Sequence, residues 1–230
     1  MTTLLGAGIW SRPAYDGADS RKTDLIPVVR YYGKPWFART TFGTLEGGAR
    51  TELLSGFTVG AQIAYEGGRN STEFAFASSP TLNPSLSLGV HAELEKKIGP
   101  MPFIALLRYR HDADNERGAQ TDLRLTAGIY GGEQLNLGIF GQTTWANAQS
   151  AQFYYGLTAQ QASSLGLPAF DAQGGALFNA AGLLWSFEVD PKWMLLGSFE
   201  SRRVRGDALD SPLLQSDSSR YITLGLAYQF

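Results

Sequence analysis

Cysteine is absent from the 230 residues, which excludes disulfides and thiolate metal sites and leaves the redox state of the compartment unreadable. No apolar run approaches the roughly 18 residues that a membrane helix needs. Mean hydropathy is −0.14, so hydropathy alone describes a soluble protein. An excess of cations is lacking too: 19 Lys and Arg stand against 21 Asp and Glu, a net charge of −2. Nucleic acid is therefore not an expected partner, because it calls for a basic surface. The opening MTTLLGAGIW has neither the basic start nor the long apolar core of a signal peptide, so the chain reads as a mature protein behind a start methionine. Neither a phosphate-binding loop nor zinc-ligand spacing occurs, and no cofactor is expected.

What is present is glycine and aromatic residues: 27 Gly, 13 Phe, 10 Tyr and 5 Trp. That mixture suits many strands joined by tight turns. The chain ends in RYITLGLAYQF, where Ile222, Leu224, Leu226, Tyr228 and Phe230 alternate with Thr223, Gly225, Ala227 and Gln229. Period-two segments of about 9 to 13 residues recur back to FTVGAQIAY at 57–65. Strict alternation marks strands with one apolar and one polar face. An antiparallel sandwich would use such strands, but soluble strands usually run about 5 or 6 residues, whereas a tilted membrane strand needs about 9 to 11. Aromatics also gather at segment ends on the apolar face, among them Trp145, Trp185, Trp193, Tyr65 and Tyr109, as in the girdles of outer-membrane barrels. The expectation is an all-β, antiparallel transmembrane barrel forming a single domain.

Connection lengths set the strand count. Short connections fall at 32–35, 53–57, 96–102, 131–134 and 189–192, and long ones near 13–23, 67–84, 112–119, 147–174 and 204–219. Short and long alternate if the region 35–54 is split into two strands at Phe42–Leu45, which gives twelve strands. Bacterial barrels have an even strand number and short periplasmic turns, so both termini are expected on the periplasmic side.

The inward face is predicted to carry Arg12, Arg30, Arg39, Arg50, Glu52, Glu66, His91, Glu93, Glu95, Arg108, Arg110, Asp122, Arg124, Glu188, Glu200 and Arg202. Arg108 and Arg110 are expected to meet Glu93 and Glu95 on one neighbouring strand and Asp122 on the other, with His91 as an ion-pair member. Buried charges need partners, so these residues describe either an ion-paired plug or a narrow charged pore. Barrels of about 8 strands are filled and those of about 16 to 18 hold an aqueous channel; twelve lies between. Catalytic groupings are poor: RHDADNE places His111, Asp112 and Asp114 at a strand end, where a hydrated acidic loop is the plainer reading than a protease-like site. AYDGADSRKTD lacks the full pattern of a calcium loop and reads as turn chemistry.

The stretch GAGIWSRPAYDGADSRKTDLIPVVRYYGKPWF resembles the opening of the MltA-interacting protein/OmpV family of Gram-negative outer membranes. It carries that family's Gly6, Gly8, Pro13, Tyr15, Gly17, Asp19 and Pro27. FYYGLTAQQASSLGLPAFDAQGG resembles the family's long loop through Tyr155, Gly156, Ala162, Gly166, Leu167, Pro168, Phe170 and Gly174, with Phe170 where the family often has Tyr. The C-terminal GLAYQF fits as well. The resemblance implies an integral outer-membrane barrel contacting lipid and lipopolysaccharide, with Tyr228 and Phe230 as an insertion signal. It implies no catalytic residues, and for the founding member a scaffold joining a murein lytic transglycosylase to a peptidoglycan synthase. Three functions are therefore carried forward. The first is a scaffold, although turns of a few residues offer little area beside the roughly 800 Å² per partner of a standard interface. The second is a narrow channel or small-molecule-binding barrel with a lid at 147–174, where TAQQASSLGL forms a short helix in the mouth. The third is an enzyme at the loop rim around His111.

Overall fold

A polypeptide in a bilayer must satisfy every backbone N–H and C=O within itself, and for strands that requires a sheet without edges. The computed structural model, which describes residues 3–41, 43–67 and 83–230, meets this requirement with twelve antiparallel strands. They are β1 (Leu4–Pro13), β2 (Arg21–Tyr32), β3 (Trp36–Thr41), β4 (Thr44–Leu54), β5 (Phe57–Glu66) and β6 (Ser85–Ile98). The rest are β7 (Met101–Asp112), β8 (Ala119–Gly131), β9 (Leu135–Ala146), β10 (Gly175–Asp190), β11 (Trp193–Val204) and β12 (Ser218–Gln229). Each strand pairs with its sequence neighbours, and β1 pairs with β12 from Leu4↔Gln229 to Ser11↔Ile222 to close the barrel.

The alternation sorts side chains as a membrane barrel demands. Ile63, Leu107, Leu125, Ile139, Leu224 and Leu226 are exposed on the outer wall, whereas Gln62, Arg108, Arg124 and Ala227 between them are buried. Outward aromatics form two bands. Tyr65, Tyr109 and Trp145 lie at one end, and Trp36, Tyr130, Phe187, Trp193 and Phe230 at the other. Tyr228 stands opposite Trp193 with ring centroids 5.3 Å apart, and Phe230 continues that row.

One end carries both termini and every tight turn except the β3–β4 hairpin; the other carries the long connections. These are called here the turn end and the loop end. The split that makes the count twelve is observed: β3 and β4 meet at Thr41↔Thr44. Phe42 lies outside the described residues, as does most of the long connection expected at 67–84. At six residues, β3 is shorter than the segment lengths anticipated. It pairs with β2 only from Arg30↔Arg39 to Tyr32↔Phe37. Beyond that point the Thr40 hydroxyl replaces the ladder, donating to Pro27 O at 2.8 Å and accepting from Val29 N–H at 3.2 Å.

The loop end is capped. Helix α1 (Ala148–Tyr155) starts at Asn147, whose side chain accepts from Ser150 N–H, and α2 (Ala159–Leu165) starts with a capping box between Thr158 and Gln161. The expected helix at TAQQASSLGL is α2; α1 is a second one. Tyr155 and Ala151 pack with Phe140, Leu177 and Phe178 of the barrel wall in one buried cluster. Three loops are tied together: Tyr15 Oη donates to Leu213 O at 3.1 Å, Ser211 Oγ to Tyr155 O at 2.6 Å, and Gln215 and Ser216 N–H to Gly17 O.

Closure of the barrel leaves no room at Gly6, where an added Cβ would lie 2.0 Å from the Leu226 carbonyl oxygen. Gly6→Val should therefore pry β1 from β12. The expected outcome is a loss of about 2 kcal/mol, the usual size of overpacking, read as a lower urea midpoint in lipid vesicles against an unchanged Ala7→Val on the lipid face.

Candidate functional site

The short β3–β4 hairpin sets the centre of the lumen. Its residue Glu46 is fully buried, and one carboxylate serves four neighbours on three other strands. Arg39 Nε donates to Oε1 at 2.5 Å and Thr41 Oγ1 at 3.2 Å, while Arg108 Nη1 and Gln62 Nε2 each donate to Oε2 at 2.8 Å. Arg108 also reaches Asp122 with Nε at 3.0 Å and Nη2 at 2.8 Å. Asp122 accepts in addition from Thr144 at 2.7 Å and from Arg110 at 3.3 Å. Arg110 donates to Glu66 at 2.5 Å, and Arg39 to Glu93 at 3.0 Å. A fork of donors matched to carboxylates is the geometry in which buried charge is tolerable.

The other half of the same layer is aromatic. Arg202 lies between Phe178 and Tyr221, 4.0 and 4.3 Å from their ring centroids. It also donates to Glu200 at 2.9 Å and to Asp16 of the first loop at 2.7 Å. Tyr221 Oη donates to Asp16 as well, and the Tyr221 ring stacks near Trp10. Trp10 fills the space against the hairpin tip: Gly43 has φ +80°, and a Cβ there would come within 2.5 Å of the indole. Arg124 sits over Phe140 at 3.6 Å. The layer thus runs around the wall, charged on β3 to β9 and aromatic on β9 to β12 and β1.

Two cavities flank this layer. On the loop side a cavity of about 230 Å³ is lined by Trp10, Arg12, Arg110, Arg117, Gln120 and Tyr154 among others. Burial, with the Glu66 charge second, pushes the Tyr154 phenol up to about 12, so it stays neutral there. On the turn side lies a chamber of about 730 Å³. Its wall is largely aliphatic, with Leu4, Ile26, Val28, Ile104, Leu106, Leu184 and Leu196, and its charged groups are Arg30, Arg39, Arg124, Glu93 and Glu95.

Several sequence expectations are corrected. Arg108 and Arg110 do not stand across from Glu93 and Glu95; the register puts His91 opposite Arg108 and Gly89 opposite Arg110. Their acids are Glu46, Asp122 and Glu66. His91 makes no ion pair among the described residues: it is buried edge-on to Phe37, centroids 5.4 Å apart. Glu52 leaves the lumen and caps the turn, accepting from Gly56 N–H at 2.8 Å. Arg50 reaches Glu93 at 3.7 Å and lies over Tyr32. His111 contacts its own neighbour's carbonyl, Asp112 O, at 2.7 Å. No group of His, Cys, Asp and Glu suited to a metal occurs among the described residues. Of the loop motifs, Pro13 ends β1, Asp19 N–H donates to Gln215, Gly156 ends α1 with its N–H on Gln152 O, and Pro168 is exposed.

Glu46 was not singled out because it sits two residues past the β3–β4 turn, and the six-residue β3 before it is too short to show a convincing alternation. The spacing Glu46, Gly48, Arg50 was the available signal. Asp16 read as turn chemistry, and Tyr221 falls on the polar parity of β12, one residue before the apolar run begins. Glu46→Gln should strip two guanidinium groups of their shared charge, and loss of one buried partner costs about 3 kcal/mol or more. Denaturant titration in lipid vesicles should show that loss, while Glu95→Gln, which breaks no ion pair among the described residues, stays within about 0.5 kcal/mol. Tyr155→Ala should loosen the cap by about 3 kcal/mol, the usual cost of truncating a buried aromatic, read as faster protease cleavage within 147–174.

An outer-membrane channel from Pseudomonas putida F1 shares the fold at a TM-score of 0.51 and 12% identity, covering 100% of this chain and 96% of that one. The NanC porin aligns over the full length of both chains at 0.46 and 7% identity. No curated protein matches the chain. The family described as MltA-interacting protein MipA matches residues 5–230, and the chain accordingly belongs to that family, as an integral β-barrel of the outer membrane.

Proposed function

We propose that the barrel binds a small solute in its turn-side chamber, with the Glu46–Arg108–Asp122 layer as a closed septum against free diffusion, and that the turn end faces the periplasm. The observation that carries this reading is the chamber itself: about 730 Å³ of largely aliphatic lumen beneath a charge layer in which Arg108 bridges Glu46 and Asp122. Small-molecule sites typically occupy about 300–1,000 Å³, with mostly apolar walls and a few placed polar groups. A lumen that served only as structural filling would leave no such space. Catalysis is not part of the proposal, since the acids of the layer are committed to arginines rather than poised beside a nucleophile.

A second reading is a docking role, favoured by the family's description as an MltA-interacting protein and by Leu54 and Ile98, which are 71% and 67% exposed at the turn end. Periplasmic murein lytic transglycosylase and peptidoglycan synthase would be the partners to try. The turns are too short to supply roughly 800 Å² by themselves, which places this reading second.

Planar-bilayer recording of the refolded barrel tests the septum. The native protein is expected to be nearly silent, and Arg108→Ala, which removes the bridge between Glu46 and Asp122, should give stable current steps. Large steps from the native barrel would contradict a closed septum. Silence in both proteins, with tight capture of a cell-wall enzyme lost in Leu54→Asp/Ile98→Asp, would favour docking.

A further inference from the structure

Arg30 is the residue of the turn-side chamber that the charge layer leaves unanswered. It points into the lumen from β2, half-buried, and makes neither hydrogen bond nor carboxylate pair among the described residues. Directly across the β2–β3 ladder stands Arg39, a second cation, whose guanidinium is already held by Glu46 and Glu93. Like charges opposite one another on paired strands repel. Glu93 is shared between Arg39 at 3.0 Å and Arg50 at 3.7 Å, so it has little left to offer. Glu95 lines the same chamber beside Glu93, and no ion pair joins it to Arg30. Arg124 on the far wall is a further cation, stacked on Phe140 and bonded to the neutral Gln142. The chamber therefore combines an aliphatic wall with more positive than negative charge.

From this arrangement we infer that the turn-side chamber binds an amphipathic organic monoanion, an aliphatic or aryl carboxylate whose head group pairs with Arg30 and whose body lies on the wall formed by Leu4, Ile26, Val28, Leu106 and Leu184. This inference rests on the solute-binding reading above and names the ligand class of that chamber. The aliphatic side chains explain why a simple inorganic anion would not suffice, since they gain only from apolar contact. The unpaired guanidinium explains why a neutral alkane would not suffice either. A planar fork of donors matches a carboxylate in bidentate fashion.

The test is equilibrium dialysis of radiolabelled octanoate against the full-length barrel in lipid nanodiscs, with empty nanodiscs as the background and 1-octanol as the uncharged counterpart. One saturable octanoate site is expected, bound more tightly than octanol. Arg30→Gln should weaken octanoate about tenfold, the usual loss on deleting one charge-assisted hydrogen bond, while leaving octanol unchanged. Leu184→Trp should abolish both by filling the chamber. Equal binding of octanoate and octanol, or indifference of octanoate to Arg30→Gln, would overturn the anion assignment and leave the chamber standing as a solute site. Absence of saturable uptake for either compound would overturn both. Strand content by circular dichroism confirms that each variant remains folded.

Discussion

Closure of β1 onto β12 is the constraint from which the remaining architecture follows. Once the sheet has no edge, every strand has one wall in lipid and one in a lumen of fixed width, and a period of two assigns each side chain to one of them. Charge is too costly on the lipid wall, so it accumulates inside. There a fully buried charge needs a partner, because a buried ion without one is worth several kcal/mol of penalty. The closing seam itself is built with glycine at Gly6 and Gly8 on β1, where the β12 backbone approaches too closely for a Cβ, and at Gly225 on β12, where a Cβ would meet the Val28 side chain.

Arginine is the cation that this interior uses. Arg39, Arg50, Arg124 and Arg202 each sit over an aromatic ring while reaching polar partners with the fork. A lysine ammonium offers neither the flat face for stacking nor paired donors. The acids are distributed so that one carboxylate bridges distant strands: Glu46 on β4 ties to Arg39 on β3 and Arg108 on β7, and Asp16 in the first loop ties to Arg202 on β11. Such cross-links hold the loop-end cap and the layer in one piece, and the chamber lies on their turn side.

The strand number, the faces and the loop order were legible in the sequence because each depends on local periodicity. Leu224, Leu107 and Ile63 declare their wall by their neighbours at i ± 1. Register is a different matter. Whether Arg108 opposes Glu93 or His91 depends on a slip of two residues between β6 and β7, and alternation is blind to a slip of two. Glu46 was hidden for a related reason: β3 has six residues, too few to display a pattern, yet the hairpin it forms delivers the central acid. The aliphatic character of the turn-side lumen was visible in Ile104, Leu106, Leu184 and Leu196 on the polar parity, but only the three-dimensional arrangement gathers them with Ile26 and Val28 into one wall. The family motifs Tyr15, Gly17 and Tyr155 were legible as motifs and opaque as structure; they prove to be the contacts that knit three loops over the mouth.

The absence of cysteine allows the division of the lumen to be measured cleanly. A single thiol can be placed in each compartment, Ser186→Cys in the turn-side chamber and Gln120→Cys in the loop-side cavity, and labelled with a charged, membrane-impermeant thiosulfonate added to one face of oriented vesicles at a time. Labelling of Ser186→Cys from the turn side alone, and of Gln120→Cys from the loop side alone, is the result expected for two compartments separated by the charge layer. Rapid labelling of either thiol from both faces would contradict a septum and describe an open pore instead.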